Sequence, residues 1–316
     1  MIKNKKYKFA LLGAPIEHSL SPDIHRIFAE GCGIDAEKDF EYIKIETDKP
    51  RLKDTVWRLK SEGFSGFNCT MPLKDEIMKY IDEKSEQSEF LNVCNTVKIN
   101  RDNILSAYTT DGGGMAAGIR YNGVEITGKN ILVFGAGGTS KAVLLSLIQN
   151  NANRIIILNR SKENLDIIKD LFSGYSGYKG YKGYTDIIFD LFNSENTEKY
   201  IKNFDIDILI NTSRLGMRGF EGAEESPAFD KEYNFLKLMK PKSAVADSVY
   251  NPLKTKLLTA AENNGLKTVD GFWMLVYQGV LAFEIWTDMK VPQEYIEKAH
   301  GVIKREKDKE RKVYDN

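Results

Sequence analysis

Asn130-Ile131-Leu132-Val133-Phe134-Gly135-Ala136-Gly137-Gly138-Thr139-Ser140 carries the strongest structural signal in the chain. It begins as an almost unbroken apolar run, as expected for a strand buried on both faces of a parallel sheet. It then passes through three glycines. Gly135, Gly137 and Gly138 permit a tight turn and let backbone N–H groups come close to a phosphate. A helix expected over Ser140–Gln149 points the positive end of its dipole at the same place. A glycine pattern alone is weak, but one that follows a buried strand and opens a helix reads as a dinucleotide-binding turn. The sixth position of the turn is Ser140 rather than glycine, and serine is small enough to let helix pack on strand.

Toward the C-terminus, the next strand, Arg154–Leu158, runs into Asn159-Arg160-Ser161. A site for NAD usually places an acid here to hold the ribose 2′-hydroxyl. No acid is present. Arg160 can stack on adenine or pair with a 2′-phosphate, and Ser161 can donate to the same phosphate. The strand end therefore points to NADP, with an ordinary surface arginine and NAD as the alternative. Further strands are expected over Asp205–Ile210, Ala244–Val249 and Thr268–Asp270, then a long apolar helix over Phe272–Trp286.

Toward the N-terminus the same alternation continues, which makes the chain an α/β protein. Strands are expected over Tyr7–Leu12, Glu41–Glu46 and Gly66–Thr70. Helices are expected from Pro22 to near Gly31 with Ser21 as cap, over Lys49–Ser61, and from Pro72 onward. Asn95–Ile99 and Ile104–Tyr108 read as a hairpin turning at Arg101-Asp102-Asn103. A new unit begins near Gly113, and 316 residues suit two domains.

Bulk properties narrow the function. Lys plus Arg and Asp plus Glu both number 45, so there is no basic excess for nucleic acid or a membrane surface. Three cysteines without CxxC spacing and three histidines argue against a disulfide framework or a metal site. The short apolar run Phe9–Leu12 reads as a first strand rather than a signal peptide, so a cytoplasmic setting is expected. Gly174–Tyr184 is a tyrosine–glycine repeat expected to form an exposed loop, and residues 304–316 form a charged tail expected to fray.

Two residues suggest acid–base chemistry. Lys74 ends Asn68-Cys69-Thr70-Met71-Pro72-Leu73-Lys74, and Asp111 lies in Thr109-Thr110-Asp111-Gly112. Strand spacing puts Asn68 and Thr70 on one face and Cys69 toward the core. A lysine in the first turn of a helix opposes the helix dipole, a mild conflict that suggests function. The plain alternatives are a solvated lysine and, for Asp111, a helix cap. Ser19 and Ser21, in His18-Ser19-Leu20-Ser21-Pro22, offer hydroxyls at a helix start, suited to a carboxylate or simply to capping.

Together these motifs, with Asn95-Thr96, Tyr250-Asn251-Pro252 and Asp270-Gly271-Phe272-Trp273-Met274-Leu275-Val276-Tyr277-Gln278, resemble the shikimate dehydrogenase family, including its quinate/shikimate dehydrogenase branch. The resemblance runs from about Tyr7 to Pro292. It implies a Rossmann-type NADP-binding domain over 113–273. It also implies a discontinuous α/β substrate domain over 1–112, completed by 274–303. The implied reaction is reversible NADPH-dependent reduction of 3-dehydroshikimate to shikimate, a step of chorismate and aromatic amino-acid biosynthesis. In this reading Lys74 and Asp111 form the catalytic pair. Ser19 and Ser21 hold the carboxylate, with Tyr250 nearby, and Asn68, Thr70, Asn95, Thr110 and Gln278 bind the ring hydroxyls. Gly135, Ala136, Gly137, Gly138, Thr139, Asn159, Arg160 and Ser161 hold the nucleotide, and Gly271 and Met274 flank the nicotinamide. The implied protein is a monomer or homodimer without a metal. Asn164 stands where NADP-strict members carry a second arginine, so a quinate/shikimate dehydrogenase using NAD or NADP is one alternative. A non-catalytic dinucleotide-binding regulator is the other.

Overall fold

The structure, a computed structural model, describes residues 7–173, 185–219 and 222–314. The Gly174–Tyr184 repeat lies outside the described residues. The chain divides into two compact units, Met1–Thr110 with Val276–Asn316, and Asp111–Leu275.

The first unit opens with β1 (Tyr7–Gly13), α1 (Ser21–Gly31), β2 (Phe40–Glu46), α2 (Leu52–Ser61) and β3 (Gly66–Cys69). After a 3₁₀ turn at Glu76–Tyr80 come β4 (Glu83–Lys84), α3 (Glu86–Leu91), β5 (Thr96–Ile99) and β6 (Leu105–Tyr108). The six strands lie in the order β2-β1-β3-β5-β6-β4. β1 is parallel to β2 and β3, while β5 is antiparallel to β3 and β6. Central strands β1 and β3 are almost wholly buried, whereas edge strand β2 buries Phe40 and Tyr42 on one face, half-buries Ile43 and Ile45 on the other, and exposes Lys44 and Glu46 toward its end. On α2, Leu52, Val56 and Leu59 recur at helical spacing and are buried.

The second unit runs α4 (Asp111–Tyr121), β7 (Asn130–Phe134), α5 (Gly138–Gln149), β8 (Arg154–Asn159), α6 (Lys162–Ser173), β9 (Asp186–Leu191), α7 (Ser194–Phe204), β10 (Ile208–Asn211), β11 (Ala244–Asp247), α8 (Lys256–Asn263) and β12 (Lys267–Val269). α9 (Gly271–Thr287) carries the chain back, and α10 (Gln293–Tyr314) follows it. The strands are all parallel in the order β12-β11-β10-β7-β8-β9. Counted from β7 this is 3-2-1-4-5-6, the doubly wound dinucleotide-binding order. β10 and β11 are buried at every position, as strands covered on both faces must be. α4 lies close on α5: a methyl group on Gly112 would strike the Ala142 carbonyl.

Several sequence expectations need correction. The helix expected at Pro72 does not form there, so Lys74 sits in a turn ahead of the 3₁₀ segment. Ser21 is the first residue of α1 rather than its cap, and the flanking Leu20 makes no side-chain cap. α2 starts at Leu52 rather than Lys49, and β10 at Ile208, because Asp205 has left-handed backbone closing α7. The charged segment continues α10 through Tyr314, as a helix end. No helix among the described residues is long and apolar enough to cross a membrane.

In the first unit the C-terminal segment supplies core. The Trp286 indole stacks on Phe9 at 4.5 Å and donates to the Val97 carbonyl at 2.9 Å. Beside it His25 is fully buried, stacked on Tyr42 at 4.7 Å, with no hydrogen-bond partner on either ring nitrogen. Burial drives its pKa down to about 3, so the ring is neutral in the fold. A base whose folded pKa is depressed contributes fully above its unfolded value near 6.5 and loses that contribution as pH falls below it. His25→Phe should therefore flatten the acid limb. Between pH 7.5 and 5 the wild type should lose on the order of 2 kcal/mol more than the variant in urea unfolding. Parallel losses in the two proteins would contradict this assignment.

Candidate active site

The polar centre of the first unit is built where β3 and β6 end and β5 begins. The Asn68 side chain amide donates to the Asn95 carbonyl and to Thr96 Oγ1, both at 3.0 Å. The Tyr42 hydroxyl donates to Asn68 Oδ1 at 2.8 Å. Asn95 Oδ1 accepts the Thr110 amide at 2.8 Å, and its Nδ2 donates to Thr110 Oγ1 at 2.9 Å and to Gln278 Oε1 at 3.4 Å. Asn68, Asn95, Thr96 and Thr110 are all buried. Buried amides and hydroxyls this interlocked hold fixed rotamers, so their remaining hydrogen-bonding capacity faces a fixed direction. Burial also raises the Tyr42 phenol pKa and keeps it neutral.

Lys74 is tied to the same place through its backbone. Its carbonyl accepts the Cys94 amide at 2.8 Å, while the Cys69 amide donates to the Asn95 carbonyl at 2.9 Å. The Asn68–Lys74 segment is thus pinned at both ends along Cys94–Asn95. Cys69 faces the core, leaving Asn68 and Thr70 on the other side. At the start of α1, Ser19 donates to Ser21 Oγ at 3.2 Å, and Ser19 Oγ accepts the Ser21 amide at 3.3 Å.

In the second unit the glycine turn sits at the carboxyl end of β7. Gly135 has φ +111°, and a Cβ there would lie 3.0 Å from the Ser213 amide nitrogen and Thr212 Oγ1. Ser140, buried on the first turn of α5, accepts the Gly137 amide at 3.1 Å and bonds Thr212 Oγ1 at 2.7 Å. Its hydroxyl thus ties the turn to the end of β10. Gly137 and Gly138 differ from Gly135: no atom lies within 4 Å of a Cβ built on either. This open cradle, next to the unsatisfied amides of the first turn of α5, fits a dinucleotide pyrophosphate. Ala136 is buried behind the turn and Thr139 is half-buried beside it.

At the end of β8, Asn159 donates to the Ser161 carbonyl at 2.9 Å, and Ser161 Oγ accepts the Asn164 amide at 3.3 Å. Arg160 is exposed and paired with Glu224 at 2.9 Å. Under the sheet end, Asp247 accepts from Asn211, Thr255 and the Val249 amide at 2.7–2.9 Å. Burial pushes its carboxyl up to about 7. Gly271 lies so close to the Val249 carbonyl that a Cβ would collide with it, and Met274 is buried on the same helix. Tyr250 is half-buried, its ring 5.9 Å from Phe272.

Ser19, Ser21, Asn68, Thr70, Lys74, Asn95, Thr110 and Gln278 all belong to the first unit. Asp111, the nucleotide-turn residues, Tyr250, Gly271 and Met274 belong to the second, and Asp111 is its first residue. Sequence reasoning missed Tyr42, Thr96 and Glu224. Tyr42 was legible in principle as an inward position of an alternating strand. Glu224 was not, because it is 64 residues from its partner.

The family models for the substrate-binding domain of shikimate dehydrogenase, for shikimate/quinate 5-dehydrogenase and for the shikimate 5′-dehydrogenase C-terminal domain match residues 11–97, 119–209 and 271–299. A shikimate dehydrogenase (NADP(+)) of Alkaliphilus metalliredigens is 35% identical over 91% of this chain and 94% of its own. One from Thermococcus kodakarensis is 36% identical over 89% and 91%. The chain belongs to the shikimate dehydrogenase family. Among solved structures, the Listeria monocytogenes shikimate 5-dehydrogenase in complex with shikimate and NAD has a TM-score of 0.78 at 29% identity, covering 93% of this chain and 96% of that one. Family members of known structure thus share the Rossmann-type domain joined to a substrate-binding domain that this chain has.

The two kinds of glycine in the phosphate turn give a test that separates binding from folding. Gly137→Ala should leave the melting temperature near wild type and weaken nucleotide binding about tenfold or more, because the methyl group enters the cradle. Gly135→Ala should instead lower stability by about 1–3 kcal/mol. Equal nucleotide affinity in Gly137→Ala and wild type, by calorimetric titration, would remove the turn from the site.

Proposed function

We propose that this enzyme interconverts 3-dehydroshikimate and shikimate using NADP(H). The observation that carries the reading is the interlocked network of Asn68, Asn95, Thr96 and Thr110, with Lys74 pinned to the same strand ends. Such a cluster of rigid amides and hydroxyls suits a polyhydroxylated ring. The chain's likeness over most of its length to enzymes named for that substrate supports the same assignment.

When bound, the nicotinamide supplies or takes the hydride. The chain's own residues bind, orient and move the proton. Ser19 and Ser21 hold the ring carboxylate, with Tyr250 assigned to the same end. Asn68, Thr70, Asn95, Thr110 and Gln278 fix the hydroxyls. Lys74 Nζ gives a proton to the carbonyl oxygen as it becomes a hydroxyl, and takes it back in the reverse direction. Asp111 is assigned as its partner in the catalytic pair. Gly135 to Thr139 cradle the pyrophosphate, Asn159 to Ser161 face the adenosine ribose, and Gly271 and Met274 flank the nicotinamide. A cytoplasmic monomer or homodimer fits this role.

A second reading, quinate or shikimate oxidation with NAD, is favoured by one observation: Arg160 already has a carboxylate partner in Glu224. Steady-state assays crossing shikimate and quinate with NADP and NAD decide between them. The first reading expects shikimate with NADP to give the highest kcat/KM. Preference for quinate with NAD would establish the second. Lys74→Ala should cut turnover by about two to four decades while shikimate binding stays near wild type. Near-normal turnover would take the proton-transfer role away from Lys74.

A further inference from the structure

The strand end after β8 lacks the acid that normally reads a ribose 2′-hydroxyl, yet the fold delivers one from elsewhere. Glu224, in the connection between β10 and β11, places Oε2 2.9 Å from Arg160 Nη1. It is presented by a pinned segment. The Glu224 carbonyl accepts the Gly216 amide at 2.8 Å. The next carbonyl, that of Glu225, accepts the hydroxyl of fully buried Tyr233 at 2.9 Å. The Glu225 carboxylate pairs with Lys256 at 2.6 Å. Three anchors from three parts of the second unit thus hold the backbone that aims Glu224 at Arg160.

We propose that Glu224 tempers the preference for NADP over NAD by occupying the guanidinium that a 2′-phosphate would use. The proposal rests on the reading of Arg160 as the 2′-phosphate residue. A dianionic 2′-phosphate must displace Glu224 from Arg160 and then lie beside a carboxylate of like charge, so both effects weaken NADP. A ribose with a free 2′-hydroxyl leaves the ion pair intact and can donate to the same carboxylate. Glu224 therefore moderates a preference that Arg160 creates. It supplies, from a distant segment, the acidic group that NAD sites usually carry at the end of the second strand. Both side chains are more than half exposed, so the ion pair is weak and salt-sensitive. A weak pair tunes the preference without abolishing it.

The test uses the adenosine half of the cofactor, so that it does not depend on turnover. Adenosine 2′,5′-bisphosphate and adenosine 5′-monophosphate are titrated calorimetrically into wild type, Glu224→Gln, Arg160→Ala and the double variant at low salt. Glu224→Gln should tighten the bisphosphate about three- to tenfold and leave the monophosphate unchanged or slightly weaker. Arg160→Ala should weaken the bisphosphate, and in that background Glu224→Gln should have little remaining effect. The ratio of kcat/KM for NADP over NAD should rise in parallel. If Arg160→Ala weakens the bisphosphate but Glu224→Gln changes neither ligand, or both equally, the role of Glu224 is overturned alone. If Arg160→Ala leaves bisphosphate binding unchanged, the reading of Arg160 falls and the proposal falls with it.

Discussion

Asn95 is the side chain on which the candidate site depends. Its carboxamide both accepts from and donates to Thr110 and reaches Gln278 on α9, while its backbone carbonyl receives Asn68 and Cys69. One buried residue thereby ties the end of β3, the start of β5, the last residue of the first unit's N-terminal segment and the returning C-terminal helix. Removing its carboxamide would take from the buried Thr110 amide its side-chain acceptor, at a cost of about 1–3 kcal/mol. The same bonds that keep these buried groups from costing stability also fix the direction of the donors and acceptors left over, which is what a hydroxylated ligand would meet.

The chemistry is divided between the units. The first holds the substrate-type polar cluster and the lysine, and the second holds the phosphate cradle and begins at Asp111. The hydrogen bonds of Asn95 to Asn68, Thr110 and Gln278 join residues of the first unit. The turn of Gly135 is braced by Ser140 and Thr212 wholly within the second.

The Rossmann order was close to legible in the sequence, because strands buried on both faces carry nearly continuous apolar runs and the glycine turn marks the first of them. Edge strand β9 escaped notice because it is only half-buried and its pattern is blunt. The helix expected at Pro72 failed for a local reason. The backbone carbonyls of Thr70, Met71 and Lys74 are engaged by Leu73, Ala14 and Cys94, which holds the segment as turns. For the site, residue types and spacing pointed to Asn68, Thr70, Lys74 and the glycines. Asn95, Thr110 and Gln278 were legible only through family resemblance, since nothing in their local sequence signals that they converge. Glu224 was invisible because a long-range ion pair leaves no periodic trace.

The central claim is that the Asn95 network is a preformed seat for shikimate with Lys74 at its reacting oxygen. A crystal structure of the enzyme with shikimate tests it most directly. The account predicts the ring hydroxyls within hydrogen-bonding distance of Asn68, Asn95 and Gln278, the carboxylate at Ser19 and Ser21, and Lys74 Nζ on the hydroxyl that is oxidised. Shikimate bound with its carboxylate on Lys74, or seated away from Asn68 and Asn95, would contradict it.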